Sequence, residues 1–175
     1  MKVLVTGGVR SGKSRHAEEL LAEQRHVAYV AAGPSPDGED ADWAARVEAH
    51  RRRRPATWST HETLDVAEVV TTAGRPVLLD CLGTWLTGTL DRHGLWEADE
   101  ATVTATVEEE LDRIVAATTT AGVDVVLVTN EVGLGVVPAH RSGRLFRDLL
   151  GTVNQRAAAA CDEVHLVIAG RVLVL

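Results

Sequence analysis

Two short stretches hold the residues best equipped for chemistry. The first, GGVRSGKS at residues 7–14, has the spacing GxxxxGK[ST]. Gly7, Gly8 and Gly12 let the backbone curl, so that successive N–H groups through Val9, Arg10 and Ser11 point inward at phosphate oxygens. Lys13 then reaches the β and γ phosphates, and the Ser14 hydroxyl can ligate Mg²⁺. The motif follows an apolar run and opens a stretch of helix formers, KSRHAEELLAEQ, which is the context it needs.

The second stretch is EAHRRRRPATWST, residues 48–60. It sets His50 directly ahead of Arg51, Arg52, Arg53 and Arg54 in a chain whose formal net charge is -7. Three readings compete. Cations at a helix end meet the negative end of the macrodipole, a gain under about 1 kcal/mol at an exposed site. A nucleic-acid patch is the second, although the run is isolated and lacks interleaved aromatics. In the third, a triphosphate binds there and His50 attacks phosphorus. Neighbouring guanidinium groups disfavour a protonated imidazole and their planar forks grip phosphate oxygens, so arginine would both arm the nucleophile and hold its target. Four consecutive residues spread around a helix axis, so one or two of these arginines, not all four, should face the nucleotide.

A bound magnesium usually has a second protein anchor at the end of a neighbouring strand. Asp80, closing VLLD, is the leading candidate. Glu131, following VLVTN, is the rival, because Thr129, Asn130 and Glu131 also emerge at a strand's carboxyl end, where open α/β sheets bind ligands.

The elements that must carry these groups follow from pattern. Residues 3–6, 27–32, 76–80 and 123–129 are short apolar runs suited to buried strands. Helical patterns are expected over residues 13–24, 40–54, 62–72, 99–120 and 141–160, with Asp99 as an N-cap and Pro55 closing the second helix. Trp43, Val47 and His50 share one face of that helix. The strand EVHLVIA, a turn at Gly170 and the antiparallel RVLVL complete the chain. Strands alternating with helices imply a mostly parallel α/β sheet in a single domain over residues 1–175.

Composition agrees with this. Hydrophobic residues are 45 % and charged residues 25 %, while one Phe, one Tyr and four Trp leave the core to aliphatic side chains. Cys81 and Cys161 have no disulfide or zinc spacing, no apolar run approaches the ~20 residues a membrane span needs, and no signal-peptide pattern is present. A cytoplasmic protein with neither a nucleic-acid partner nor a membrane span is expected.

In order along the chain, TGGVRSGKSRHAE, RVEAHRRRRPATWSTHE, VLLDCLGTWLT, VTNEVGLGVVP and FRDLLGTVNQRAAAACDEVHLVIAG resemble the adenosylcobinamide kinase / adenosylcobinamide-phosphate guanylyltransferase family. The resemblance spans nearly the whole chain and implies a RecA-like P-loop NTPase fold, commonly a homotrimer, with two consecutive reactions. A nucleoside triphosphate, ATP or GTP, phosphorylates the hydroxyl of the aminopropanol arm of adenosylcobinamide. GTP then transfers GMP to a histidine, aligned here with His50, and the cobinamide phosphate displaces it to give adenosylcobinamide-GDP. On the same comparison Glu62, Asp80, the residues after His50 and the loop beginning at Gly33 are GTP contacts. A carboxylate at Glu62 suits guanine, which offers paired N–H donors on its Watson–Crick edge; Glu62 would equally cap the helix it begins.

Two segments depart from the family pattern. Asp40, Ala41, Asp42 and Trp43 stand where the family has Asp-x-Glu-Met, keeping charge and bulk. Pro138, Ala139, His140 and Arg141 replace Pro-Glu-Asn-Arg, which removes an acid and an amide and weakens the kinase assignment. His16 either supports the phosphate loop or packs its helix. His26, His61, His93 and His165 read as surface or core residues, and Trp58, Trp85 and Trp96 as packing residues.

Overall fold

A computed structural model describes residues 1–33 and 41–175, with the side chains of residues 42, 43 and 46 excepted. The residue 34–40 part of the expected nucleotide loop and the side chain of Trp43 therefore lie outside the described residues. Among the described residues seven strands form one sheet: β1 (Lys2–Gly7), β2 (Ala28–Ala31), β3 (Ser59–Glu62), β4 (Val77–Asp80), β5 (Val125–Val128), β6 (Glu163–Ile168) and β7 (Arg171–Val174), in the spatial order β3-β2-β4-β5-β1-β6-β7. All pairings are parallel except β6 with β7. The helices are α1 (Lys13–Leu20), α2 (Ala41–Arg53), α3 (Val66–Thr72), α4 (Leu82–Arg92), α5 (Glu100–Thr120) and α6 (Arg141–Ala159).

The expected apolar runs are the central strands, because a strand covered on both faces needs no polar alternation. Val3, Val5, Leu78, Val126 and Val128 turn to one face and bury Ala17 and Leu21 of the α1 segment. Leu4, Val30, Leu79 and Leu127 turn to the other and pack beneath α3, α4, α5 and α6, whose Val69, Trp85, Leu111 and Leu150 complete that layer. Helix α2 belongs to the α1 side, since Arg53 in its last turn pairs with Glu18 of α1 at 3.0 Å. Asp99 caps α5 by accepting from the Thr102 N–H at 3.0 Å, as its position in the sequence predicts. Trp58 and Trp85 are buried.

Two expectations need correction. The helix expected from residue 62 begins at Val66, and Ser59–Glu62 is an edge strand paired with β2, so Glu62 ends a strand and caps no helix. The segment STHE has no apolar alternation, which is why hydropathy does not reveal it. Helix α4 was not foreseen. Its glycines and threonines are poor helix formers, yet Leu82, Trp85, Leu86, Thr89 and Leu90 recur at helical spacing and are all buried.

Candidate active site

The carboxyl ends of β1, β2, β3, β4 and β5 open into a cleft of about 580 Å³. The phosphate-loop residues lie along its floor. Gly12 sits at φ 100° and Arg10 at φ 56°, left-handed conformations that bring the loop back over the start of α1. A Cβ on Gly7 would lie 2.4 Å from the Val167 carbonyl oxygen, so only glycine fits this close crossing of β1 and β6. From the far side the β6–β7 turn braces the loop, with the Gly170 N–H donating to the Ser11 carbonyl at 2.9 Å. Lys13 is buried, its Nζ donating to the Gly8 carbonyl at 3.2 Å. The Ser11 hydroxyl is buried without a hydrogen-bond partner among the described residues, a polar atom left over for an incoming oxygen.

His16 and His165 underpin this floor. His16 Nε2 and His165 Nδ1 are 2.8 Å apart, and His165 Nε2 meets Glu163 Oε2 at 2.8 Å. Burial, and then the neighbouring His165, push the His16 pKa down, and the contact between the two rings ties α1 to β6.

Asp80 joins the phosphate loop to His50. Its buried carboxylate accepts from the Ser14 hydroxyl and from the Tyr29 hydroxyl at 3.1 Å, and its Oδ2 lies 3.2 Å from His50 Nδ1. Burial drives the Tyr29 pKa well up, with the Asp80 charge adding to it, so the phenol remains a donor. Burial alone would raise the Asp80 pKa; the hydrogen bond and charge of His50, then Ser14 and Tyr29, outweigh it and hold the pKa down. The stability gained from a carboxyl that titrates lower when folded is complete above its unfolded pKa and is lost as pH falls through the folded value. Acid unfolding of Asp80→Asn, followed by circular dichroism, should therefore be shallower than that of the parent over that interval; an identical acid limb would contradict the arrangement.

The four arginines separate as helix geometry requires. Arg53 and Arg54 line the cleft, whereas Arg51 and Arg52 do not. Arg54 stacks its guanidinium 3.8 Å from the centre of the Tyr29 ring and donates to the His50 carbonyl at 3.0 Å. Arg53 is paired with Glu18, Arg51 with Glu62 at 2.5 Å, and Arg52 turns back to Glu48. Two of the four arginines thus line the cleft, within the one or two expected from helix geometry. The Asp80 carboxylate, 3.2 Å from Nδ1, orients the His50 ring.

Gly33 and Glu62 also border the cleft. Of the two rival anchors, Asp80 faces Ser14, whereas Glu131 folds back to accept from the Gly133 N–H at 2.7 Å and caps its own turn. Asn130 reaches the cleft, its backbone carbonyl held by Asn154 Nδ2 at 3.0 Å. Tyr29, which lines the cleft, and Asn154, which supports Asn130 from behind it, are absent from the sequence-based candidates, whereas Arg54 is one of the arginines expected there. Tyr29 carried a signal: it alternates with Val27 and Ala31 in a strand that ends at the cleft.

The family model described as cobinamide kinase / cobinamide phosphate guanyltransferase matches residues 3–175. The chain belongs to that family. Two similar proteins are named bifunctional adenosylcobalamin biosynthesis protein CobU, from Salmonella typhimurium at 43 % identity and from Escherichia coli at 44 %, each alignment covering 97 % of both chains. A third, CobP of Pseudomonas aeruginosa, is 38 % identical over 97 % of this chain and 94 % of its own. Among solved structures, a prototypical ATPase from the type III secretion system of pathogenic bacteria superposes with a TM-score of 0.53 at 10 % identity, covering 94 % of this chain and 51 % of that one. That likeness speaks for the P-loop fold alone. As a member of the cobinamide kinase / guanyltransferase family the chain is a transferase that uses nucleotides, and among the described residues no helix is long and apolar enough to cross a membrane.

Proposed function

We propose that this enzyme phosphorylates cobinamide and then transfers GMP from GTP through a covalent intermediate on His50. One observation carries the covalent step: the carboxylate that accepts from Ser14 at the phosphate loop also orients His50. With Nδ1–H given to Asp80, the lone pair on Nε2 is free for the α-phosphorus of a GTP whose outer phosphates rest on the loop. A P–N bond forms as the P–O bond to pyrophosphate breaks, and pyrophosphate leaves with the electron pair. Lys13, with Arg53 and Arg54, disperses the charge on the departing oxygens. Glu62, which borders the cleft beside Arg51, supports the choice of guanine.

Mg²⁺ fits the donor set. Ser14 and Asp80 offer two adjacent oxygens, in keeping with an ion that takes one or two protein ligands and draws the rest from phosphates and water. When bound it supplies charge neutralisation along the phosphates. ATP or GTP serves the kinase step. The unpaired cysteines Cys81 and Cys161 suit a cytoplasmic location, which cell fractionation checks.

Incubation with α-labelled GTP and Mg²⁺ should leave label on the protein in an acid-labile, base-stable linkage, as a phosphoramidate requires. A kinase without a covalent step would take up no label, and that result would overturn the proposal. The family resemblance also implies a homotrimer, and exposed apolar side chains supply surface for it: Leu134, Val136, Ile168 and Leu173 are 92 %, 94 %, 62 % and 56 % accessible. Native mass spectrometry should then read three times 18.7 kDa, and a single mass of 18.7 kDa would count against it.

A further inference from the structure

The nucleotide chemistry engages the cleft floor and the wall formed by α2, and leaves the opposite wall unused. That wall belongs to α4, α6 and the segment after β5, and its residues include Cys81, Gly83, Thr87, Asn130, Val132 and Phe146. Gly83 is the informative one. It lies in the first turn of α4 with no left-handed backbone to justify glycine, and glycine is among the poorest helix formers. A methyl group placed on it would lie 3.6 Å from Cys81 Sγ and 3.8 Å from both Asn130 Oδ1 and Phe146 Cζ. These are ordinary contacts, so alanine would fit there without strain. Its methyl would occupy the space between the Asn130 amide and the Phe146 ring.

We infer that this recess, bounded by Gly83, Asn130 and Phe146, is the subsite for the hydroxyl- or phosphate-bearing amide arm of the cobinamide acceptor; the inference rests on the function proposed above. Three observations support it. The recess is continuous with the phosphate floor but lies on the α4–α6 side of the sheet, whereas His50 approaches from the α1 side. An acceptor seated there faces the phosphorus from the side away from His50, as in-line displacement requires. Its phosphate oxygen forms the new P–O bond, the P–N bond breaks, and the electron pair returns to Nε2.

The chemistry of the walls also matches a short amide arm. The Asn130 amide supplies both a donor and an acceptor, while Val132 and Phe146 meet a methyl-bearing carbon chain. Asn154 holds the Asn130 backbone, so the amide is presented from a fixed support. Finally, the recess is narrow, a methyl on Gly83 lying 3.8 Å from both Asn130 Oδ1 and Phe146 Cζ, so it suits a thin arm and not a macrocycle.

The test is Gly83→Ala, read in three ways. Label transfer from α-labelled GTP to the protein, which needs no acceptor, should stay within about twofold of the parent, and the unfolding midpoint should be unchanged or higher. The cobinamide phosphate concentration that half-discharges the adduct, and the KM for cobinamide in the kinase reaction, should both rise by about tenfold or more, as one misplaced methyl commonly costs. Phe146→Ala should raise the same two quantities and leave GTP affinity unchanged. Unchanged acceptor dependence in both variants overturns the inference. A parallel loss of GTP affinity also overturns it, because the recess would then belong to the nucleotide. If the parent takes up no label, the covalent proposal fails by itself, and the kinase KM still decides the recess.

Discussion

Replacing His50 with alanine is expected to abolish the labelled adduct and to lower guanylyl transfer by at least about 10³-fold, while phosphorylation of cobinamide survives. The asymmetry follows from the geometry. His50 touches Asp80 through Nδ1 and stands at the end of α2, away from the phosphate-loop floor, so its loss removes the attacking nitrogen without altering Lys13 or Ser14. Asp80 would keep its Tyr29 and Ser14 donors and remain satisfied. Guanylyl transfer at the parental rate in His50→Ala, measured as GDP-cobinamide formed, would show that GMP passes directly from GTP to the acceptor.

Lys13→Ala is expected to strike both reactions. Each transfer should fall by about 10²–10³-fold in kcat/KM, the usual loss when one positioned charge is taken from developing oxyanions, and GTP binding by equilibrium dialysis should weaken with it. The ammonium is buried against the loop and held by the Gly8 carbonyl, so it is fixed in place before the nucleotide arrives. Alanine in the first turn of α1 is a better helix former than lysine, and the fold should therefore persist. Parental kinase activity in this variant would mean that the triphosphate binds outside the glycine loop. Together the two substitutions separate a site shared by both reactions from a residue needed by only one.

Much of this site was legible in the residues themselves. The glycine spacing fixes a loop, the run KSRHAEEL fixes the helix that follows, and VLLD places a carboxylate at a strand end; all three stand where their local chemistry predicts. What stayed hidden depends on neighbours distant in the chain. Nothing near Asp80 announces that Tyr29, 51 residues earlier, donates to it, because that contact exists only when β2 pairs with β4. The arginines stand next to His50 along the chain, whereas Glu18 and Glu62 claim two of them across space. The strand at Ser59–Glu62 escaped notice because an edge strand with polar side chains leaves no hydropathy period. Local rules find elements that are locally determined, and a site assembled from five strand ends exceeds them.

The bond from the Gly170 amide to the Ser11 carbonyl gives the outermost hairpin a grip on the part of the protein that holds phosphate. Weakening the pairing of Val172 with Val167 would loosen that grip from behind the loop, through residues that line no part of the cleft. The border strand thus offers an indirect handle on nucleotide affinity, one that engineering can turn without replacing any catalytic side chain.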